Sequence, residues 1–185
     1  MNNELLELWG KSFSQCLEGL PLTLGLTFVS LLIGGLLALP LSVIHSRRTT
    51  WQAKLVRLFT FFFTGTPLLV QLYIFYDGFG GLGWVQNLMT KDGFGFLRDA
   101  YFWVLLGLTL NTAAYSTIIF SGAINNTEYG EIEAGRAYGL SSAQVMRHIV
   151  LPSSLRRALP AYSNEVILMV QATALASSFT LFEIT

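Results

Sequence analysis

Glu165 heads an uncharged stretch that runs from Val166 to Phe182, and it is the only acid in the long apolar segments of this sequence. A carboxylate at membrane depth is expensive, so it reads by default as part of a solute pathway. The chemistry open to it is charge-assisted hydrogen bonding to a guanidinium, ammonium or imidazolium group. The competing reading is an ion pair with Arg156, Arg157 or a neighbouring subunit. Other polar residues fall at similar depth: Asn164 precedes the acid, Gln171 and Thr173 follow it, and Asn111 and Thr112 interrupt a second apolar stretch. For Asn111 and Thr112 the choice lies between ligand contact and interhelical hydrogen bonds worth roughly 0.6–2 kcal/mol. Pro67 interrupts a third stretch, with Gln71 four residues on. A proline inside a helix disrupts the hydrogen-bond ladder and leaves backbone groups free to bind, as at broken transporter helices.

The elements that position these residues follow from charge spacing. The chain has 185 residues, of which 52% are hydrophobic and 12% charged; its mean hydropathy is +0.54. Soluble domains carry about 25% charged residues. No charge falls from Gly19 to Ile44, from Leu58 to Tyr76, or from Ala100 to Thr127. Each gap meets the length of about 20 apolar residues that a spanning helix needs. A soluble helical core needs a polar face on every helix, and Leu22 to Leu41 has none. The sequence therefore predicts an all-α, polytopic helical bundle, one transmembrane domain over 1–185. Its spans lie near 20–44, 56–76, 101–124 and 160–182, with a cytoplasmic loop at 125–158. Gly34, Gly35, Gly65 and Gly107 suit close helix packing. A zero net charge gives no case for nucleic acid. The single cysteine, Cys16, excludes an internal disulfide and a cysteine metal site, and no histidine spacing suggests a metal. Gly10-Lys11-Ser12 lacks the first glycine of a phosphate loop, because that position is Leu5. No catalytic group and no cofactor are expected.

Basic residues mark cytoplasmic loops. Arg47, Arg48, Lys54 and Arg57 follow the first span without an acid, and Arg136, Arg147, Arg156 and Arg157 follow the third. The N-terminal tail and the 77–99 loop are richer in acids. This predicts an outside N-terminus, with the first span as an uncleaved signal. Trp51, Trp84 and Trp103 fall at span ends, where interfacial tryptophans gather.

The inside loop carries its own pattern. Asn125 with Glu128 fits a helix cap, Gly139 fits a left-handed stop, and Ser141 with Gln144 forms a capping box. Leu151-Pro152 predicts a break. Helix, turn, helix and stop result. Glu133 and Arg136 are spaced as an (i, i+3) pair, Ala134 and Gly135 permit close approach, and Ile132, Ala137, Leu140, Val145 and Ile149 supply apolar knobs. By physics alone, an amphipathic loop lying on the membrane fits as well as a docking element.

The residues themselves narrow the choice. Glu133, Ala134, Gly139, Ile149, Leu151 and Pro152 stand where the permease subunits of ATP-binding-cassette importers carry their E-A-A, G, I-x-L-P signature; Gly135 replaces the usual alanine. The stretch Phe62 to Gln71, FFTGTPLLVQ, resembles the G-T-P-x-x-V-Q signature of the polar amino acid branch. Thr64 stands where many members have arginine, so a role tied to that arginine does not carry over. Leu108 to Ile124 and Leu159 to Ala176 resemble the same branch, closest to the permeases for histidine, lysine, arginine, ornithine and opines. Members usually continue through a fifth span, so the resemblance implies that one is missing here.

The resemblance implies a multi-pass inner-membrane subunit of the type I importer fold, with a periplasmic N-terminus. The partners implied are a cytoplasmic ATPase dimer that binds the ATP, a second permease subunit (identical or related), a periplasmic amino-acid-binding protein and membrane lipid. Glu133, Ala134, Gly135, Gly139, Ile149, Leu151 and Pro152 would couple to the ATPase. Pro67, Gln71, Asn111, Thr112, Asn164, Glu165 and Thr173 would line the pathway for polar, foremost basic, amino acids. The rival reading is an ion-coupled secondary transporter of small polar solutes, which would need a midplane ion site and usually two repeats. A membrane-embedded enzyme would need convergent nucleophiles or metal ligands.

Overall fold

The computed structural model describes residues 2–47, 49–91 and 93–183, with side chains at Trp9 and from Gly19 to Thr173. Arg48, Asp92, Cys16 and the charged side chains of the N-terminal tail lie outside that description. Every regular element among the described residues is helical. The long elements are α1 (Asn2–His45), α2 (Trp51–Gly65), α3 (Leu68–Tyr73, continued by a π turn Ile74–Phe79), α4 (Gly83–Met89), α5 (Ala100–Asn125), α6 (Tyr129–Ala137), α7 (Ser142–Val145, continued by a π turn Met146–Val150) and α8 (Leu151–Glu183). By length and composition, Gly19–His45 and Ala100–Asn125 can each cross a membrane, and the pair α2–α3 can if it counts as one broken span. The helix α8 runs unbroken through the expected fourth span, but its side chains beyond Thr173 lie outside the described residues.

The first helix turns mostly small or hydroxyl-bearing residues inward and large apolar ones outward. On α1 the residues Thr27, Ser30, Ala38 and Ser42 are buried, while Leu24, Phe28, Leu32 and Leu36 are more than half exposed. Lipid is as apolar as leucine, so nothing drives large side chains inward; helices associate where small residues let backbones approach. Gly34 lies in this inward row: a Cβ there would stand 2.8 Å from Thr112 Cβ and 2.9 Å from Thr109 O. The inward hydroxyls satisfy themselves within their own helix, Ser30 Oγ donating to Thr27 O at 3.0 Å and Ser42 Oγ to Leu39 O at 2.7 Å.

Three apolar clusters along this interface fix the directions of the helices. At one end Leu26, Leu72, Val104, Leu108 and Met169 meet; in the middle Ala38, Phe120 and Ala158; at the other end Ile124, Val145 and Val150, with Val43 against them. Thus α1 and α5 run parallel, packed directly on each other, and α8 runs antiparallel against both. The end of α1 and the 125–158 loop share one end of the bundle, as the distribution of basic residues predicted.

Four local expectations need correction. The expected span 56–76 is not one helix: α2 and α3 meet at Thr66-Pro67 with a bend of 109°. Asn125 does not cap α6 but ends α5, and Glu128 takes the N-cap position without a side-chain bond. Leu151-Pro152 does not stop the chain's helical course. A π turn precedes it, in which Leu151 N–H reaches back to Met146 O, and Pro152 falls in the first turn of α8, where its missing donor is tolerated. Trp103 is buried, its indole N–H donating to Leu97 O at 2.9 Å, rather than facing an interface.

Candidate functional site

The break at Pro67 creates the site. Proline has no N–H to give the carbonyl of Phe63, one turn back. Buried backbone groups must find partners, and here side chains supply them. Gln71 Nε2 donates to Phe63 O at 2.8 Å, to Thr66 O at 2.9 Å and to Thr66 Oγ1 at 2.8 Å. Asn111 Nδ2, from α5, reaches Phe63 O at 3.3 Å and Gln71 Oε1 at 3.1 Å. These bonds hold Thr66 and Pro67 in extended conformation and open a gap between α2, α3, α5 and α8.

That gap is a cavity of 390 Å³, and among its walls are Thr64, Thr66, Pro67, Asn111, Tyr115 and Glu165. Its size lies within the range of roughly 300–1,000 Å³ common for small-molecule sites. Glu165 is only 7% exposed, yet no ion pair holds it among the described residues. Arg157, one of its expected partners, is engaged elsewhere, roughly two turns away along α8: its guanidinium meets Glu131 at 3.4 Å and Thr127 Oγ1 at 2.8 Å. Arg156 is exposed. The cavity therefore offers one buried carboxylate to whatever enters.

The seven expected pathway residues divide. Pro67, Asn111 and Glu165 come together on the cavity wall. Gln71 is fully buried behind it and holds the break. Thr112 turns toward α1 and α8, donating to Met169 Sδ at 3.4 Å, and Thr173 donates to Met169 O at 2.7 Å. Asn164 is exposed on the face of α8 away from Glu165. Sequence reasoning did not single out Tyr115, whose hydroxyl donates to Thr64 O at 3.4 Å, nor Leu168 and Met169 on the wall. Helical spacing carried that signal: Tyr115 stands four residues after Asn111, and Leu168 and Met169 stand three and four after Glu165.

At the opposite end, Gly139 closes α6 at φ +77°, and Ser141 with Gln144 caps α7 reciprocally. Gly135 is occupied from within: a Cβ there would lie 2.5 Å from Ile149 Cδ1. The close approach it permits is by its own chain rather than by another surface. Ile132, Leu140 and Val145 also pack inward, which leaves Tyr129, Glu133, Ala134, Arg136, Ala137 and Tyr138 exposed. No ion pair joins Glu133 to Arg136 among the described residues. Ala134, Ile149 and Pro152 border a groove of 630 Å³ between α6 and the start of α8; Leu151 packs inward against the loop cluster. Among the described residues no group of His, Cys, Asp or Glu is placed to hold a metal ion.

Comparison with known proteins gives one answer. Residues 19–184 match the family described as binding-protein-dependent transport system inner membrane component. The octopine transport system permease protein of Rhizobium meliloti is 43% identical over 180 residues, covering 97% of this chain and 72% of the relative. The histidine/lysine/arginine/ornithine transport system permease protein of Escherichia coli K12 is 49% identical over 162 residues, covering 88% of this chain and 67% of the relative. The crystal structure of an amino acid ABC transporter with histidines superposes at a TM-score of 0.75 with 29% identity, over 92% of this chain and 74% of that one. With the helical bundle and the turn at Gly139 in place, this chain belongs to the binding-protein-dependent inner-membrane transport family, as a non-catalytic permease component of an ABC importer.

Proposed function

We propose that this permease moves polar, foremost cationic, amino acids, and that Glu165 meets the cationic group of the solute. The observation that carries the reading is one buried carboxylate, without an ion-pair partner among the described residues, beside a broken helix in a cavity of 390 Å³. A carboxylate so placed favours a guanidinium or ammonium group over a neutral side chain by charge-assisted hydrogen bonds. The names of two relatives, one carrying histidine, lysine, arginine and ornithine, the other octopine, agree with that chemistry.

The division of labour follows from the family. Two cytoplasmic ATPase subunits bind and hydrolyse ATP, a binding protein outside delivers the solute, and a second permease subunit completes the pathway. The exposed face of α6, with Glu133 and Ala134, docks on the ATPase; Gly135, Gly139, Ile149, Leu151 and Pro152 shape the turn that presents it. The N-terminus faces the periplasm, the basic end of the bundle faces the cytoplasm, and 1–185 acts as one membrane domain. ATPase closure shifts the balance between inward- and outward-open states, which is a coupling free energy between two sites.

The test is uptake by proteoliposomes holding the complete complex, offered labelled arginine, lysine, histidine and a neutral amino acid. Wild type takes up the cationic set with ATP hydrolysis. Glu133→Lys inserts normally but loses ATP-driven uptake. Uptake without ATP, driven instead by an imposed ion gradient, overturns the reading in favour of a secondary transporter.

A further inference from the structure

The loop that carries the docking helix is stapled to the helix that carries Glu165. Arg157, in the second turn of α8, donates through Nη1 to Ser153 Oγ at 2.6 Å and to Glu131 Oε1 at 3.4 Å, and through Nη2 to Thr127 Oγ1 at 2.8 Å. Ser153 Oγ donates in turn to Glu131 Oε1 at 3.3 Å. Thr127 and Glu131 bracket the start of α6, and Ser153 and Arg157 lie one turn apart on α8. One guanidinium thus crosses from α8 to the start of α6 at two points, Glu131 and Thr127, and Ser153 adds a third crossing bond to Glu131; its planar fork holds direction as well as distance.

Rigidity continues along α8. The helix is unbroken from Leu151 through Glu165, and eight residues separate Arg157 from Glu165, roughly 12 Å at 1.5 Å per residue. The outer face of α6 has no comparable tether: Tyr129 is 66% and Tyr138 89% exposed. A push on α6 therefore has a polar route into α8 through Arg157, besides the apolar packing of the loop cluster.

We infer that Arg157 is a positioning residue that makes α6 and α8 move as one body, so that displacement of the docking helix shifts Glu165 at the cavity. The inference rests on the reading of α6 as the ATPase contact. A lone ion pair whose side chains are 34% and 33% exposed contributes little to stability. The staple's effect therefore falls on coupling rather than on folding.

The experiment uses the complete transporter in proteoliposomes and reads solute transported per ATP hydrolysed. Arg157→Gln keeps ATPase association and basal hydrolysis, and lowers that ratio by about fivefold or more, the lower end of usual coupling energies. Arg157→Lys, which keeps the charge and loses the fork, falls between. The exchanged pair Glu131→Arg with Arg157→Glu recovers part of the ratio. An unchanged ratio in Arg157→Gln overturns the inference, and so does a loss of uptake and hydrolysis by the same factor. Should wild type fail to bind the ATPase, or should cross-links place the ATPase away from α6, the underlying reading fails instead, which keeps the two outcomes apart.

Discussion

Replacing Gln71 separates two roles that the residue could play. Its amide makes three donor contacts and accepts one, all in a site only 1% exposed. Two N–H groups serve three acceptors, so one bond is shared. In Gln71→Leu, Phe63 O keeps Asn111 at 3.3 Å, whereas Thr66 O loses the amide. An orphaned buried acceptor costs about 1–3 kcal/mol, and each lost interhelical bond adds about 0.6 kcal/mol, giving roughly 2–4 kcal/mol for the variant. Gln71→Glu keeps the shape but sets a carboxylate against two carbonyl oxygens at 2.8 and 2.9 Å, so it should be worse than leucine. The assay is thermal unfolding of the purified complex in detergent, followed by aggregation or fluorescence, with uptake measured in parallel. The order of stability is wild type, then Gln71→Leu, then Gln71→Glu. If Gln71→Glu is as stable as wild type and binds cationic solutes more tightly, the amide is a solute ligand and the argument that it repairs the Pro67 break is wrong.

Further outcomes follow from the same geometry. Glu165→Gln should raise the KM for cationic amino acids by about 10–100-fold, the worth of a hydrogen bond to a charged group, and spare neutral ones; equal loss for both classes refutes the pairing. Gly34→Ala, forced against Thr112 and Thr109 O, should cost about 1–3 kcal/mol of overpacking. Gly25→Ala, with nothing within 4 Å, should be harmless; melting of both variants in detergent decides. Gly139→Ala must adopt φ +77° and should lose about 1–2 kcal/mol. Gly135→Ala keeps an ordinary backbone and presses on side-chain ends alone, Ile149 Cδ1 at 2.5 Å and Val145 Cγ2 at 3.2 Å, and should cost less; the reverse order in protease resistance of the loop would contradict this.

The long helices over 20–44 and 101–124, the basic end of the bundle, the turn at Gly139 and the cap at Ser141 were all legible in the sequence. Each depends on something local: a run of uncharged residues, a side-chain oxygen three residues from an N–H, or a residue without a Cβ. Glu165 was legible as well, since a lone acid among apolar residues needs no fold to look costly. The sequence also contained Pro67, but not the 109° bend. A proline kinks a helix or ends it according to what can satisfy the carbonyl it orphans, and that depended on Gln71 and on Asn111, 44 residues away from the proline. Likewise the turn at Leu151-Pro152 stayed helical because a preceding π turn reorganised the ladder. Tertiary packing alone decided which polar residues face the cavity. Thr112 and Asn111 are neighbours in sequence, yet the helix turns about 100° per residue, so Thr112 faces Gly34 and Asn111 faces the Pro67 break and the cavity. Amphipathic patterning could not foretell this, because in lipid small polar residues mark helix contacts as often as they mark a pathway.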